Sequence, residues 1–105
     1  KMKTMKMWSV VIRIKKNDTV KGKRVHILIL DILKKGKISG ATVWTGTGGY
    51  GKRGESNIHV EGISVNMPLV IEVIDELSKL EKILPEIKEI VGDNGLITMN
   101  EVDMI

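Results

Sequence analysis

The chain has 105 residues and a mass of 11.7 kDa, which suits one domain over residues 1–105 and is too small for two. Hydrophobic residues make up 42% of it and charged residues 29%, as in folded proteins rather than disordered ones. Cysteine is absent, which excludes disulfides and thiolate chemistry, and two histidines are too few for a histidine-rich zinc site. No apolar run has the length of a membrane span or the pattern of a signal peptide, so a cytoplasmic protein is expected.

The net charge of +4 is unevenly distributed along the chain. Residues 1–54 carry 14 basic and 2 acidic side chains, whereas residues 55–105 carry 3 basic and 11 acidic ones. A basic half suggests an anionic ligand or nucleic acid. The alternative is that the two halves interleave in one fold, or complement each other between subunits.

The amino-acid usage is also compatible with a thermophile. Glutamine is absent as well as cysteine, while lysine and glutamate are plentiful. We therefore expect an unfolding midpoint above about 60 °C, the upper range for mesophile domains.

The first half of the chain begins with a strand and a helix. Alternating apolar residues predict a strand over Met7–Ile14. A polar break follows, in which Asn17, Asp18 or Thr19 is suited to cap a helix. A helical stripe then comprises Val25, Leu28, Ile29, Ile32 and Leu33. Lys34 and Lys35 suit the end of this helix, and Gly36 is a favourable C′ residue.

The middle of the chain predicts strands around a glycine-rich loop. The second strand is predicted over Ile38–Thr45 and the loop over Gly46–Gly54. A third, irregular strand is predicted over Ile58–Val65. Pro68 precedes another strand, Leu69–Asp75, whose almost continuous apolar character indicates burial on both faces.

The last third of the chain predicts a helix, a turn and a strand. Ser78 is suited to cap the helix, and Pro85 is expected to interrupt and kink it. The apolar stripe of this helix comprises Leu80, Ile83, Leu84, Ile87, Ile90 and Val91. A tight turn at Gly92–Gly95 leads into a final strand over Leu96–Met104.

This order of elements predicts an α+β fold of the ferredoxin-like βαββαβ type. Its sheet is antiparallel, with both helices on one face. Ile12, Val73 and Val102 are expected on the opposite face, where a domain this small cannot cover them, so oligomerisation is expected to do so.

The glycine-rich loop is the most informative stretch for function. Residues 46–54 contain five glycines, and Lys52 and Arg53 are adjacent cations. Glycine allows backbone N–H groups to turn toward an anion, so a phosphate cradle is one interpretation; a mobile, basic surface loop is the other. The loop also matches G-x-G-x-x-G and G-x-x-x-x-G-K by chance, because neither match is followed by the helix that these motifs require.

Several carboxylates, the two histidines and Trp44 each have both a functional and a structural interpretation. The carboxylates Asp93, Glu55, Glu61, Glu72 and Asp75 are suited to acid–base work, but a charged exposed edge explains them more simply. His26 fits a partly buried or surface helical position better than a ligand. His59 is placed to reach a phosphate or another subunit, and Trp44 either stacks on a base or packs in a core or interface. No catalytic constellation or metal motif is recognisable, so the chain is not expected to be an enzyme.

A series of short segments resembles a known family. In chain order the segments are Gly40-Ala41-Thr42-Val43, Gly46 with Gly49-Tyr50-Gly51, Ile58-His59, Pro68 to Asp75, Lys82-Ile83 with Leu84-Pro85, and Gly95-Leu96-Ile97-Thr98. From Val10 onward the chain is similar to the uncharacterised PII-like proteins of domain of unknown function family 190. The resemblance implies a homotrimer similar to the PII nitrogen-regulatory signalling proteins, which hold adenine nucleotides in clefts between subunits.

The resemblance also implies where a nucleotide would bind. The base of the long loop and the turn before the last strand contribute to that cleft in PII proteins. Carried over to this chain, the expected contacts are Gly46, Thr47, Gly48, Gly49, Tyr50, Gly51, Gly92, Asp93, Asn94 and Gly95. Lys52 and Arg53 are added to this set because their charges would offset those of the phosphates. The expected function is non-catalytic regulation through the glycine-rich loop, with AMP, ADP or ATP as ligand, AMP among the first to test, and an unidentified protein as target.

Two further functions share this fold plan. An RNA-binding module is the alternative, but exposed central strands then need aromatic residues, of which this chain has few, so nucleic acid is not the expected partner. A small acylphosphatase-like hydrolase requires an arginine-bearing glycine loop after the first strand. Lys15-Lys16-Asn17-Asp18 does not supply one.

Overall fold

The computed structural model describes residues 1–57 and 66–105 of the chain. The predicted third strand, Ile58–Val65, lies outside the described residues together with His59 and Glu61. The strands are β1 (Met5–Lys15), β2 (Thr19–Val20), β3 (Lys23–Arg24), β4 (Thr42–Thr45), β5 (Gly48–Gly51), β6 (Gly54–Asn57), β7 (Pro68–Asp75) and β8 (Leu96–Met104). The helices are α1 (Val25–Lys35), α2 (Leu77–Val91) and a short 3-10 turn, Gly92–Asn94.

Four of the strands form one antiparallel sheet in the order β4-β7-β1-β8. The central strand β1 pairs with β7 on one side and β8 on the other, so that Val10 lies between Val73 and Met99. With α1 following β1 and α2 following β7, this is the ferredoxin-like arrangement. The predicted α+β fold is therefore confirmed.

The hydrophobic core lies between this sheet and the two helices. Its fully buried side chains come from β1, β7, α1 and α2, and they are Val10, Ile12, Ile29, Ile71, Leu80 and Ile87. The predicted stripe of α2 is confirmed, because Leu80, Ile83, Ile87 and Val91 are all buried. In α1 the buried side chains are Val25, Ile29 and Leu33.

The prediction of which side chains leave the core was partly wrong. Ile12 and Val73 are 0% and 2% exposed and belong to the core, because alternation in β1 and β7 directs them toward the helices. We call the opposite side of the sheet the open face. The register places on it Val11 and Arg13 of β1, Val70, Glu72 and Ile74 of β7, Trp44 of β4, and Leu96 and Val102 of β8.

Strand β7 is not buried on both faces within one chain, contrary to expectation. Leu69, Ile71 and Val73 are buried, whereas Ile74 is 41% exposed on the open face. Strand β4 covers only Thr42–Thr45 of the predicted Ile38–Thr45, because Lys37 and Ile38 complete the end of the preceding helix.

The connection between β1 and α1 also differs from the prediction. A small hairpin, β2–β3, follows β1, and its two-residue turn has positive φ at Lys21 (51°) and Gly22 (80°). Helix α1 then begins at Val25, so Asn17, Asp18 and Thr19 do not cap it; its flanking residue is Arg24. The backbone N–H of Val25 donates instead to the carbonyl of Asp18, at 2.9 Å.

The end of α1 uses its glycine for packing rather than for turning. Gly36 has φ −77°, and Lys37 takes the left-handed conformation at φ 59°. The N–H of Ile38 donates to the carbonyl of Leu33 at 3.0 Å and closes the helix end. A Cβ atom at Gly36 would lie 2.7 Å from Cγ2 of Ile83, so glycine here allows α1 and α2 to approach.

Helix α2 differs from the prediction at its start and at its proline. It begins at Leu77 after Glu76, without a side-chain cap, so Ser78 does not cap it. Pro85 lies inside the helix, which continues through it to Val91. The predicted strand Leu96–Met104 is confirmed with the same bounds.

Candidate functional site

Much of the segment predicted as a glycine-rich loop forms a two-stranded ribbon. β5 pairs antiparallel with β6, with Tyr50 opposite Glu55 and Gly51 opposite Gly54. Gly54 has a φ of 92°, a conformation that favours glycine, and it follows the turn residues Lys52 and Arg53. We call residues 48–57 the glycine ribbon.

The glycine ribbon is attached to the body of the domain near the start of β7. The N–H of Gly46 donates to the carbonyl of Pro68 at 2.8 Å. The buried hydroxyl of Ser56 donates to the carbonyl of Asn66, also at 2.8 Å. One bond lies two residues before the ribbon and the other is made by its second strand, so the chain is held beside the sheet on both sides of the ribbon turn.

The turn of the ribbon is held by an arginine that contacts two other loops. Arg53 donates to both carboxylate oxygens of Asp18, from Nη1 at 2.6 Å and from Nη2 at 3.0 Å. Its Nη2 also donates to the carbonyl of Asn94 at 2.7 Å. We call these three residues the Arg53 clasp. The clasp connects the ribbon to the turn after β1 and to the turn before β8.

The electrostatics of the clasp favour both charges. Burial acts to raise the pKa of Asp18, but hydrogen bonds from Arg53 and from the N–H of Lys15, together with the charges of both residues, hold that pKa below its ordinary value. The hydrogen bond from Arg53 to Asp18 raises the pKa of the guanidinium in turn, against the effect of burial. The pair is bidentate, the geometry in which arginine–carboxylate contacts are strongest.

The ribbon, the end of β1 and the turn before β8 enclose a cleft of about 660 Å³, which we call the ribbon cleft. Its polar lining is strongly basic, because Arg13, Lys15, Lys52 and Arg53 all contribute. Carboxylates are absent from the lining among the described residues; Asp18 lies just behind Arg53. Its apolar lining includes Ile14, Pro68, Leu69, Val70 and Leu96.

A second concave surface lies beside the first. This α2–β8 groove, of about 780 Å³, has an apolar lining that includes Leu84, Pro85, Ile97 and Met99. Lys52, Gly95 and Leu96 line both cavities, so the two meet at the turn before β8.

The structure brings together most of the residues that sequence reasoning selected for nucleotide binding. Nine of the twelve line the ribbon cleft, namely Gly46, Gly48, Gly49, Tyr50, Gly51, Lys52, Arg53, Asn94 and Gly95. Gly92 and Asp93 line the α2–β8 groove instead. Thr47 is exposed and lines neither cavity. Whether these residues contact a nucleotide remains a prediction.

Sequence reasoning missed three charged residues at the cleft. Arg13 and Lys15 line it, and Asp18 fixes Arg53. One signal was available for Arg13, which is the one charged residue of the predicted strand Met7–Ile14. Asp18 had no such signal, since its partner lies 35 residues away in the sequence.

Among the carboxylates considered for acid–base work, Asp75 has a structural role. Asp75 is buried and accepts from the N–H of Ser39 at 2.9 Å and from the N–H of Glu76 at 2.7 Å. Lys79 completes this set with an ion pair at 3.1 Å. Asp75 is therefore not an exposed edge charge, and its carboxylate joins the segment after α1 to the start of α2. Burial opposes ionisation, but these contacts hold the pKa of Asp75 below its ordinary value.

Two other candidates lie outside the ribbon cleft. Trp44 is 47% exposed on the open face of the sheet rather than buried in the core. His26 lies in α1, half-buried, and its Nδ1 has no hydrogen-bond partner among the described residues. Over the same residues, no three side chains of the metal-binding types come together.

The described helices are α1, α2 and the 3-10 turn, and none of them combines the length and the apolar character needed to cross a membrane.

Comparison with known proteins gives both a family and a fold. Residues 7–104 match DUF190, a family described as an uncharacterized ACR. The UPF0166 protein MJ1524 of Methanocaldococcus jannaschii is 37% identical over 90 residues, which are 86% of this chain and 83% of that protein.

Solved structures with the same fold include two PII-like proteins. CPII of Thiomonas intermedia K12, described as bound to ADP, AMP and bicarbonate, aligns with a TM-score of 0.75 at 11% identity, over 99% of this chain and 100% of that one. The putative PII-like signaling protein TTHA0516 of Thermus thermophilus aligns with a TM-score of 0.70 at 15% identity, over 99% and 94%. With nearly its whole length matched, this chain belongs to the DUF190 family and has the fold of the PII-like proteins.

Proposed function

We propose that this protein is a non-catalytic PII-like regulator that binds an adenine nucleotide, AMP, ADP or ATP, in the ribbon cleft. The observation that carries the proposal is the composition of this cleft. Glycine backbone from two separate segments lies around it with Arg13, Lys15, Lys52 and Arg53. Exposed N–H groups and cations together are the usual means of binding phosphate, and the apolar lining offers contact for a base.

The ligands of CPII support an adenine nucleotide. That protein is described as bound to ADP and AMP, and it shares the fold over the full length of this chain. The shared fold makes a site at the corresponding cleft the first one to test here. The identity is low, so the contacts in this chain must come from its own residues.

We further propose that the working form is a homotrimer in which the open face of each sheet is covered. Trp44, Ile74 and Leu96 are exposed large hydrophobic residues on that face. Arg13 and Leu96 lie on the open face and also line the ribbon cleft, so subunits that pack there would meet beside the cleft. Nucleotide binding would then alter the glycine ribbon, the segment proposed to contact a target protein.

Nucleotide calorimetry tests the proposal directly. We expect titration with AMP, ADP and ATP to give saturable binding of at least one of them. Lys52→Gln is expected to weaken it about tenfold, since a charge-assisted phosphate contact is lost. Lys23→Gln is the matched control, because Lys23 is an exposed lysine of β3 outside both cavities. No binding of any of the three at millimolar concentration would contradict the proposal.

RNA binding, the second function suggested by the sequence, receives no support from the sheet. β1 and β7 are the central strands, and their open-face residues include no aromatic ring. Trp44 lies on the edge strand β4 and is separated from β1 by β7. A stacking platform of the usual kind is therefore not formed by these strands.

A further inference from the structure

The Arg53 clasp changes the charge that the ribbon cleft presents. Four cationic side chains line the cleft, but Arg53 is paired through both terminal nitrogens with Asp18. Lys15, Arg13 and Lys52 have no carboxylate within 4.0 Å among the described residues. Within the described residues, Arg13, Lys15 and Lys52 therefore line the cleft without an ion pair of their own, whereas Arg53 is already paired.

The ion pair between Arg53 and Asp18 lies where water screens its charges only partly. The side chain of Asp18 is 12% exposed and that of Arg53 is 28% exposed, so water screens the two charges less than it screens fully exposed ones. The third contact of the clasp, from Arg53 to the carbonyl of Asn94, fixes the guanidinium at the edge of the cleft. An anion that contacts Arg53 therefore also lies near the carboxylate of Asp18, which the same guanidinium holds at 2.6 and 3.0 Å.

We propose that Asp18 is a specificity-determining residue that makes the ribbon cleft favour nucleotides with few phosphates. This inference rests on the proposed function of the cleft and adds the class of ligand. Each further phosphate adds negative charge, which needs a further cation to offset it. Because Arg53 is already paired with Asp18, its charge is less available to offset a further phosphate. The carboxylate of Asp18 also repels the end of a longer phosphate chain. Both effects favour AMP relative to ATP.

Charge-changing variants of the pair test this inference through a ratio of affinities. Asp18→Asn makes the cleft more positive, and we expect it to improve ATP binding relative to AMP by about three- to tenfold, as expected for one charge at partly screened distances of several ångströms. Arg53→Gln makes the cleft more negative and should shift the ratio the opposite way. The double variant restores the charge balance and should return the ratio close to that of the wild type.

The double variant separates charge from structure. If the clasp served only to hold the ribbon, each single variant would weaken all nucleotides alike, and the double variant would not recover. Asp31→Asn is the matched control, since Asp31 is an exposed carboxylate of α1 outside both cavities. An Asp18→Asn ratio equal to that of the Asp31→Asn control would overturn the inference. Arg53→Gln gives an independent measurement if Asp18→Asn does not fold.

Inorganic phosphate, pyrophosphate and tripolyphosphate distinguish this inference from the proposed function. If the wild type binds these anions with the expected effects of Asp18→Asn and Arg53→Gln but binds no nucleotide, the preference of Asp18 for short phosphate chains stands and the proposed function fails. If nucleotides bind and neither variant shifts the ratio, the proposed function stands and the inference fails. A wild-type protein that binds neither class of anion contradicts both.

Discussion

Gly95 lies so close to β1 that a Cβ atom at this position would be 2.6 Å from the carbonyl oxygen of Arg13. It would also lie 2.6 Å from Cγ1 of Val91 and 2.9 Å from Cγ2 of Ile14. Because one of these neighbours is backbone, the clash cannot be relieved by rotating a side chain. The turn before β8 therefore needs glycine at residue 95 to contact β1. Gly95 also lines the ribbon cleft.

We expect Gly95→Ala to lower the free energy of unfolding by about 1–3 kcal/mol, as overpacking of a tight contact does. For a domain of this size, each kcal/mol corresponds to about 4–8 °C in the melting temperature. Thermal and urea unfolding measure the change. Gly40→Ala is the control, since a Cβ at Gly40 meets nothing within 4 Å. Equal stability of the two variants would show that β1 and the turn separate easily.

The contacts of Asp75 predict a dependence of stability on pH. Its pKa is lowered in the folded protein, so its ionised form stabilises the fold above the unfolded value of about 3.9, and this contribution is lost as the pH falls through the folded pKa. We expect Asp75→Asn to cost about 1–3 kcal/mol at pH 7 and to reduce the loss of stability in acid.

Urea unfolding of wild type and variant between pH 7 and pH 2.5 measures this effect. Ser39→Ala is the graded control, because it removes the hydroxyl contact at 3.2 Å and leaves the Ser39 N–H contact at 2.9 Å. Its cost should be smaller than that of Asp75→Asn. Parallel pH profiles for Asp75→Asn and the wild type would contradict the expectation.

A charge placed on the open face of the sheet is expected to disrupt the proposed trimer. Ile74→Lys places a charge on this face, and we expect it to convert the trimer to monomer because a lysine buried there would lose its hydration. Ile74 is 41% exposed within one chain, so the variant should still fold. Light scattering after size-exclusion chromatography measures the mass. Ile27→Lys, at a 51% exposed position of α1, should leave the trimer intact.

The buried hydroxyl of Ser56 predicts a local change in the glycine ribbon. We expect Ser56→Ala to raise the rate of amide hydrogen exchange in β5 and β6 while β1 remains protected, because the bond to the carbonyl of Asn66 is lost. The global stability should fall by about 1 kcal/mol. Ser78→Ala, at an exposed position of α2 that caps nothing, should change neither measurement.

Much of the fold follows from patterns within single elements. Alternation in Trp8–Ile14 and helical spacing in Leu80–Val91 identify a strand and a helix, since each depends on residues only a few positions apart. Their order then indicates the ferredoxin-like plan. The same patterns did not determine which residues of β1 and β7 face the helices, because the open-face positions also carry aliphatic residues, Val11 in β1 and Val70 and Ile74 in β7.

Less of the candidate site than of the fold could be predicted from the sequence. The glycine clusters indicated a phosphate cradle, and the structure brings Gly46 and Gly95 to one cleft. The clasp depends on a contact between Arg53 and Asp18, which no local pattern reveals. The segment Gly46–Gly54 was also predicted to be a loop, because sparse side chains give no alternating pattern, yet backbone pairing forms β5 and β6.

The way in which the glycine ribbon is attached allows this part of the fold to vary in length. Most of its cross-strand positions carry no side chain on one strand, so its location depends on attachments at its two ends and at its turn rather than on contacts along its length. Residues inserted between those attachments would lengthen the ribbon without disturbing the sheet. The domain can thus serve as a constant base on which evolution, or a protein engineer, exchanges one projecting hairpin for another.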